Sequence, residues 1–238
     1  MGLSLTVLGS CGGYAAAGRA CSGYLVRCDG TAVWLDAGSG SLANLQRHMS
    51  PDLIDAIVLT HEHPDHWTDV TGFHVAAKYV YGMRDVRVIA PASVRDAVYN
   101  PGPPLRWEIV SSGDKVTVGA LGLTFSRTDH PVETLAVRVD GGGRSLGYSA
   151  DTGPGWSLDA LGDDLDLALC EASYLHDQEG QGHMSARQAG ITARQAKARR
   201  LVLTHVRPGI DHEAIRSEGQ AAFGGPVEVA TEHMEFQL

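Results

Sequence analysis

The 238-residue sequence predicts an α/β or α+β fold in which helices cover sheets. Short apolar and β-branched runs recur between Gly- and Pro-rich punctuation, the pattern of buried strands. Two longer segments carry helical signals instead. With 43% hydrophobic and 20% charged residues, the chain can bury a large core in one domain or two closely packed halves, and we take 1–238 as a single domain.

In chain order, "LSLTVLG", "GYLVRC", "AVWLDAG", "DAIVLT" and "VRVIAP" read as strands, followed by "LGLTFSRTDH", "TLAVRVD", "SLGYSAD", "LDLALCEA", "LVLTH" and "VEVA". Residues 67–81 place Trp67, Val70, Phe73, Ala77, Val80 and Tyr81 on one helical stripe. Residues 185–197, rich in Ala, Gln and Arg, form a second helix that opens on the capping box Ser185-x-x-Gln188. The Pro-rich "NPGPPLRW" (100–107) reads as a loop able to separate two halves. "GSCGGY" (9–14) lacks GxGxxG spacing and a following helix, so it reads as a tight turn, with Tyr14 a candidate stacking residue on a pocket wall.

The strand endings organise the chain. Asp36, His61, His130, Asp151, Glu171 and His205 each stand where an apolar run meets its loop. Sites on α/β scaffolds gather at such edges, so one shared polar site is the economical explanation.

Its densest part is "HEHPDH". His61 and His63 alternate along an extended segment and point to the same side, so both imidazoles can reach one ion. Asp65 and His66 follow the chain-turning Pro64 and can address a second. Imidazole and carboxylate together suit a borderline dication such as zinc, with manganese a credible substitute. His130, Asp151 and His205 are available to complete two sites, and a carboxylate has two oxygens to share.

The HxHxDH motif, the early "LDAGSG" with Asp36, a later single His, the Asp of "YSADTG" and the His of "LTHVRP" together resemble the metallo-β-lactamase fold hydrolases over nearly the whole chain. The resemblance implies a four-layer αββα sandwich with two metal ions at the edge of its sheets. It assigns His61, His63 and His130 to one ion, Asp65, His66 and His205 to the other, and Asp151 to a bridge. A water between two dications loses its proton near neutral pH, which makes hydrolysis the expected reaction, with Asp65 to orient the water or accept its proton.

"GHMSARQAG" chooses among bonds. His183 lies two residues before Ser185, beside a helix start whose N–H groups and dipole favour an anion. With "LCEASY" it resembles the ribonuclease Z-like phosphodiesterases, which implies that His183 contacts the scissile phosphate or protonates the leaving oxygen, while Glu171 bonds to its ring and raises its pKa. The tRNA-processing enzymes insert a long arm between the third-motif His and the bridging Asp; here only 131–150 separates His130 from Asp151. A small phosphodiester, such as a cyclic nucleotide or a short nucleic-acid fragment, is the expected substrate. A lactonase or thioesterase on the same metals is the main alternative, and a non-catalytic metal-binding module the other.

Charge agrees. Twenty-eight acidic against nineteen basic residues give −9, which argues against a broad grip on nucleic acid and makes stable tRNA binding unexpected. Cys11, Cys21, Cys28 and Cys170 form no CxxC pair and read as reduced; with no signal sequence or apolar span in sight, a cytoplasmic protein is expected. His74 reads as a packing residue, and His48, His176, His212 and His233 as surface groups. Homodimers are common in the resembled family, though no residue here demonstrates one.

Overall fold

The computed structural model describes residues 2–180 and 182–238. The first half supplies β1 (Ser4–Gly9), β2 (Gly23–Cys28), β3 (Thr31–Ala37), α1 (Ser41–Leu45), β4 (Ala56–Val58), α2 (Asp69–Tyr79), β5 (Val86–Ala90), α3 (Ala92–Ala97) and β6 (Leu105–Ile109). The second supplies β7 (Lys115–Val118), β8 (Leu121–Arg127), β9 (Leu135–Gly141), β10 (Arg144–Tyr148), β11 (Leu167–Glu171), α4 (Ala186–Gln195), β12 (Leu201–Thr204), α5 (His212–Phe223), β13 (Val227–Val229) and β14 (Glu235–Gln237).

Two seven-stranded sheets result, ordered β14-β1-β2-β3-β4-β5-β6 and β13-β12-β11-β10-β9-β8-β7. In each, one half pairs antiparallel and the other parallel, with β3–β6 and β10–β13 forming the parallel halves. The two halves of the chain thus share a topology that their sequences do not betray. One core cluster, from Leu5 and Val33 to Leu146 and Val202, fills the space between the sheets. A second joins the outer face of the first sheet to α1–α3 through Trp34, Phe73 and Val94, and a third joins the other sheet to α4 and α5 through Leu203, Ala189 and Ile215. The layers are therefore α, β, β, α.

Every apolar run read as a strand contains one. Three further strands lie beyond those runs. β6 begins inside the stretch expected as a loop, immediately after Pro104; as an edge strand hydrogen-bonded only to β5, it tolerates prolines at its start. The crossing between sheets consequently falls at 110–114, not at 100–107. β7 and β14 are also edge strands, only four and three residues long, whose apolar residues alternate with exposed polar ones, so neither makes a continuous apolar run. α5 likewise went unread, although Asp211 caps it by accepting from Glu213 N–H and Gly224 closes it in the left-handed conformation.

α2 buries Val70, Phe73, His74 and Ala77, and Phe73 meets Trp34 edge-to-face at 5.9 Å. The expected stripe ran too far: Val80 is 73% exposed and Tyr81 37%. Both of their N–H groups bond Ala76 O, the bond from Tyr81 spanning five residues, so the last turn widens and the helix ends there, turning these side chains off the packed face. Residues 135–148 form the β9–β10 hairpin, turning at Gly142 and Gly143, and 131–150 holds no appended arm.

Candidate metal centre

β3 and β4 run parallel in one sheet, and β10, β11 and β12 in the other, so their C-terminal ends open at sheet edges. Asp36, Ala150 and His205 all take positive φ (53°, 52° and 55°) at these ends. Each such residue costs roughly 1–2 kcal/mol, and the close packing around the strand ends holds them there. These turns bend the chain out of its strands where the polar residues converge.

The donor atoms fall into two groups. His61, His63, His130 and Asp151 offer atoms that all lie within 4.8 Å of one another, as do Asp65, His66 and His205. Asp151 lies between the groups: its Oδ2 is 3.6 Å from His61 Nε2 and 4.0 Å from His130 Nε2, while Oδ1 is 3.2 Å from His66 Nε2 and 3.4 Å from His205 Nε2. His130 Nε2 is 3.1 Å from His63 Nδ1, and Asp65 Oδ2 is 3.2 Å from His205 Nε2 and 3.6 Å from His66 Nε2. Donors held tetrahedrally at about 2.0–2.2 Å from one ion stand about 3.3–3.6 Å apart, so these separations suit shared ions.

Two further observations fit a metal. His61 Nε2, His66 Nε2 and Asp151 Oδ1 are buried polar atoms with no hydrogen-bond partner, a costly arrangement unless an ion completes it. The electrostatics also call for positive charge. Burial opposes a charged His66, yet Asp151, Asp65 and Asp36 drive its pKa well above the ordinary value. Burial and the neighbouring His66 push His61 far the other way. Asp65 and Asp151 are held well below the usual carboxylate range by surrounding histidines, against the cost of burial.

The outer ring nitrogens are tied down. Asp36, completely buried, accepts from Thr60 N–H (2.9 Å), Thr60 Oγ1 (3.0 Å), Tyr148 Oη (2.9 Å) and His66 Nδ1 (2.8 Å). Thr60 gives its only hydroxyl proton to Asp36, so it accepts from His61 Nδ1 at 3.0 Å. His130 Nδ1 donates to Gly182 O at 2.8 Å. Ser173 donates to Glu171 Oε2 (2.8 Å) and accepts from His205 Nδ1 (2.9 Å). With Nδ1 engaged in this way, each of these four rings would present Nε2 to an ion at the centre, His66 after giving up the second proton that its carboxylate neighbours favour. Ser173 was missed from sequence, though it stands two residues beyond Glu171 at alternating spacing.

His183 reaches the same centre, its Nδ1 3.0 Å from Glu171 Oε1 and 3.9 Å from Asp151 Oδ2. Asp151, His183 and His205 also fall within ligand reach of one another, but His183 Nδ1 is already engaged by Glu171. Burial works against its charge; the hydrogen bond and charge of Glu171, with Asp151, nevertheless lift its pKa to about 9. The capping box of Ser185 and Gln188 is present as expected. The anion-binding role expected of that helix start is not: Ala186 N–H bonds Tyr174 O, Arg187 N–H bonds Glu218 Oε1 and Gln188 N–H bonds Ser185 Oγ. Those donors are spent within the protein.

A cavity of about 220 Å³ opens over the centre, lined by His63, Asp65, Asp151 and His205, with His183, Gly13, Ser173, Tyr174 and Arg207 around them. The 9–14 turn does form a wall: Gly13 N–H donates to Asp65 Oδ2 at 2.7 Å, and a Cβ on Gly12 would sit 2.5 Å from His205 O. Tyr14 is exposed beside it. Tyr174 and Arg207 lie within the "LCEASY" and "LTHVRP" stretches, but neither was expected at the site. His74 is buried and bonds Pro103 O at 3.0 Å, a packing residue. His176 is exposed, whereas His48 and His233 are half-buried against each other, 2.9 Å apart, and His212 is also half-buried.

Comparison with known proteins places these observations among relatives. A family model described as "Beta-lactamase superfamily domain" matches residues 31–206. The probable metallo-hydrolase YhfI of Bacillus subtilis (strain 168) is 31% identical over 236 residues, covering 96% of this chain and 97% of that protein. Its crystal structure superposes with a TM-score of 0.91 at 27% identity over the whole of both chains. Rv1339 of Mycobacterium tuberculosis (strain ATCC 25618 / H37Rv) is 34% identical over 240 residues, covering 94% of this chain and 88% of the other. A ribonuclease Z from Myxococcus xanthus (strain DK1622) is 25% identical over 300 aligned positions, covering 99% and 98% of the two chains. That alignment is longer than the present chain, so the ribonuclease carries several tens of residues without counterparts here.

Proposed function

Because the chain belongs to the beta-lactamase superfamily, we propose that it is a metal-dependent hydrolase of small phosphodiesters, cyclic nucleotides among them. His61, His63 and His130 would hold one divalent ion and Asp65, His66 and His205 the other, with Asp151 shared. Zinc or manganese suits this nitrogen and carboxylate set. Once bound, the ions supply a water acidic enough to attack at neutral pH and positive charge for the phosphoryl oxygens.

The observation that carries the choice of bond is His183 on the cavity wall, bonded through Nδ1 to Glu171. Glu171 holds the ring protonated and aimed, and Nε2 is the atom left to give a proton to the leaving oxygen. Asp65, anchored by Gly13 N–H, orients the attacking water. An acyl ester or lactone carries no anionic phosphoryl group for a cationic imidazole to meet. The ribonuclease name of one relative agrees with phosphodiester chemistry, while the short 131–150 hairpin and the charge of −9 favour a small substrate over tRNA. We also take 1–238 as one domain, supported by the core shared between both sheets, and the protein as cytoplasmic, supported by the buried thiols of Cys11, Cys21 and Cys170, none of them in a disulfide.

The deciding experiment is a panel of bis(p-nitrophenyl) phosphate, cyclic nucleotides, a lactone and a thioester against zinc- or manganese-reconstituted protein. Turnover of the phosphodiesters is expected. Turnover of the acyl substrates alone would overturn the reading in favour of an acyl hydrolase, and no turnover at all would favour a metal-binding module.

A further inference from the structure

Among the described residues, Arg207 is the only lysine or arginine lining the cavity over the metal centre. It is exposed, and its guanidinium carbon lies 5.2 Å from the ring centroid of Tyr174. Among the described residues no carboxylate pairs with it and no hydrogen bond ties it down. Several arginines elsewhere are paired, Arg87 with Glu108, Arg138 with Asp140 and Arg200 with Glu228; what sets Arg207 apart is its place on the wall of this cavity. In a chain of net charge −9, one unpaired arginine at the mouth of this cavity is a site for an incoming anion.

The seat is built. Tyr174 is half-buried, its ring 6.2 Å from that of His183, and a Cβ on Gly180 would stand only 3.1 Å from the Tyr174 ring. A guanidinium laid on an aromatic face keeps its planar fork of N–H donors free at the edge and loses less freedom when it binds. That fork matches two oxygens of a phosphate. The scissile phosphate would have other partners, because Asp151 lines the cavity and is buried, with His61 and His66 buried behind it. Arg207 stands at the exposed rim, where a different part of the substrate lies.

We propose that Arg207, laid on Tyr174 at the mouth of the metal cavity, is a specificity-determining residue that binds a second anionic group of the substrate, a terminal phosphate separate from the scissile phosphodiester. The assignment rests on the phosphodiester reading above and narrows its substrate class to phosphodiesters that carry an additional phosphate.

Two measurements test it together. In the first, zinc-loaded protein is titrated calorimetrically with thymidine 5′-monophosphate and thymidine 3′,5′-bisphosphate. The bisphosphate binds roughly tenfold or more tightly, as expected for an added charge-assisted hydrogen-bond pair. R207Q abolishes that advantage, R207K keeps part of it through charge alone, and Y174F, which preserves the ring, keeps it whole. In the second, dithymidine phosphate is compared with the same dinucleotide bearing a 5′- or 3′-terminal phosphate. R207Q raises KM for a terminally phosphorylated dinucleotide roughly tenfold more than for the plain one, the difference falling on KM and not on kcat. Equal effects of R207Q on plain and phosphorylated ligands, or none on either, would overturn the proposal. Should neither dinucleotide be cut while a lactone or thioester is, the phosphodiester reading fails, and the calorimetry still decides the role of Arg207.

Discussion

Asp36 and His66, thirty residues apart, are joined by a 2.8 Å hydrogen bond from His66 Nδ1 to Asp36 Oδ2 inside a fully buried pocket. All four hydrogen bonds at this carboxylate are accepted ones, and the same residue ties Thr60, hence His61, and Tyr148 to the centre. Asp36 touches no substrate cavity, yet it orients a ring in each group of metal-ligand candidates.

Asp36→Asn replaces an acceptor with a donor facing donors. We expect zinc affinity, measured by chelator competition, to fall about 10- to 100-fold. Leaving a buried partner unsatisfied should also lower stability by about 1–3 kcal/mol, seen in chemical denaturation. Unchanged zinc affinity would show that the ring needs no such support.

Asp151 presents Oδ2 toward His61 and His130 and Oδ1 toward His66 and His205. Asp151→Ala should reduce bound metal, counted by elemental analysis, from a pair of ions to one or none, with the far-ultraviolet circular dichroism of the fold retained. Retention of both ions at parental affinity would remove Asp151 from the bridge.

His183 has its pKa raised from the ordinary 6.5 to about 9, so its cationic form is present at neutral pH and lost as pH rises through that value. With the proton needed for the leaving oxygen, kcat on phosphodiesters should decline on the alkaline side. Ions bound beside the ring oppose its charge and move that limb below 9. His183→Gln should lower kcat by about 10²- to 10⁴-fold and erase the limb. A variant with intact kcat and an unchanged pH profile would make His183 a bystander.

Gly12 packs where a Cβ would meet His205 O at 2.5 Å and His205 Nδ1 at 2.7 Å. Gly12→Ala should displace that ring, weaken metal retention and cost about 1–3 kcal/mol of stability. Gly30→Ala, on a hairpin turn whose Cβ position is open, separates strain from clash: at φ 84° it should lose stability while keeping metal.

Much of this site was legible in the chain itself. Donor chemistry, the order of the motifs and their positions where apolar runs end are local properties, and a strand's period of two or a capping box is written in a few neighbouring residues. Those signals place His61, His63, Asp65, His66, His130, Asp151, Glu171, His183 and His205 at the ends or flanks of elements that the fold brings together at one cavity. Edge strands β6, β7 and β14 escaped because each alternates apolar with polar residues over five residues or fewer and so makes no continuous apolar run. Only tertiary structure could decide which nitrogen of each ring faces inward, because Asp36, Ser173 and Gly182 O reach His66, His205 and His130 only once segments distant in the chain lie side by side, and Thr60 accepts from the adjacent His61 because its own proton goes to Asp36. It also withdrew the α4 N–H groups from anion binding, since Glu218 arrives from α5, and it set Arg207 on Tyr174. A sequence specifies which groups exist and on which elements they ride; hydrogen bonds and charges act over a few ångströms, and those distances between remote residues exist only once the chain has folded.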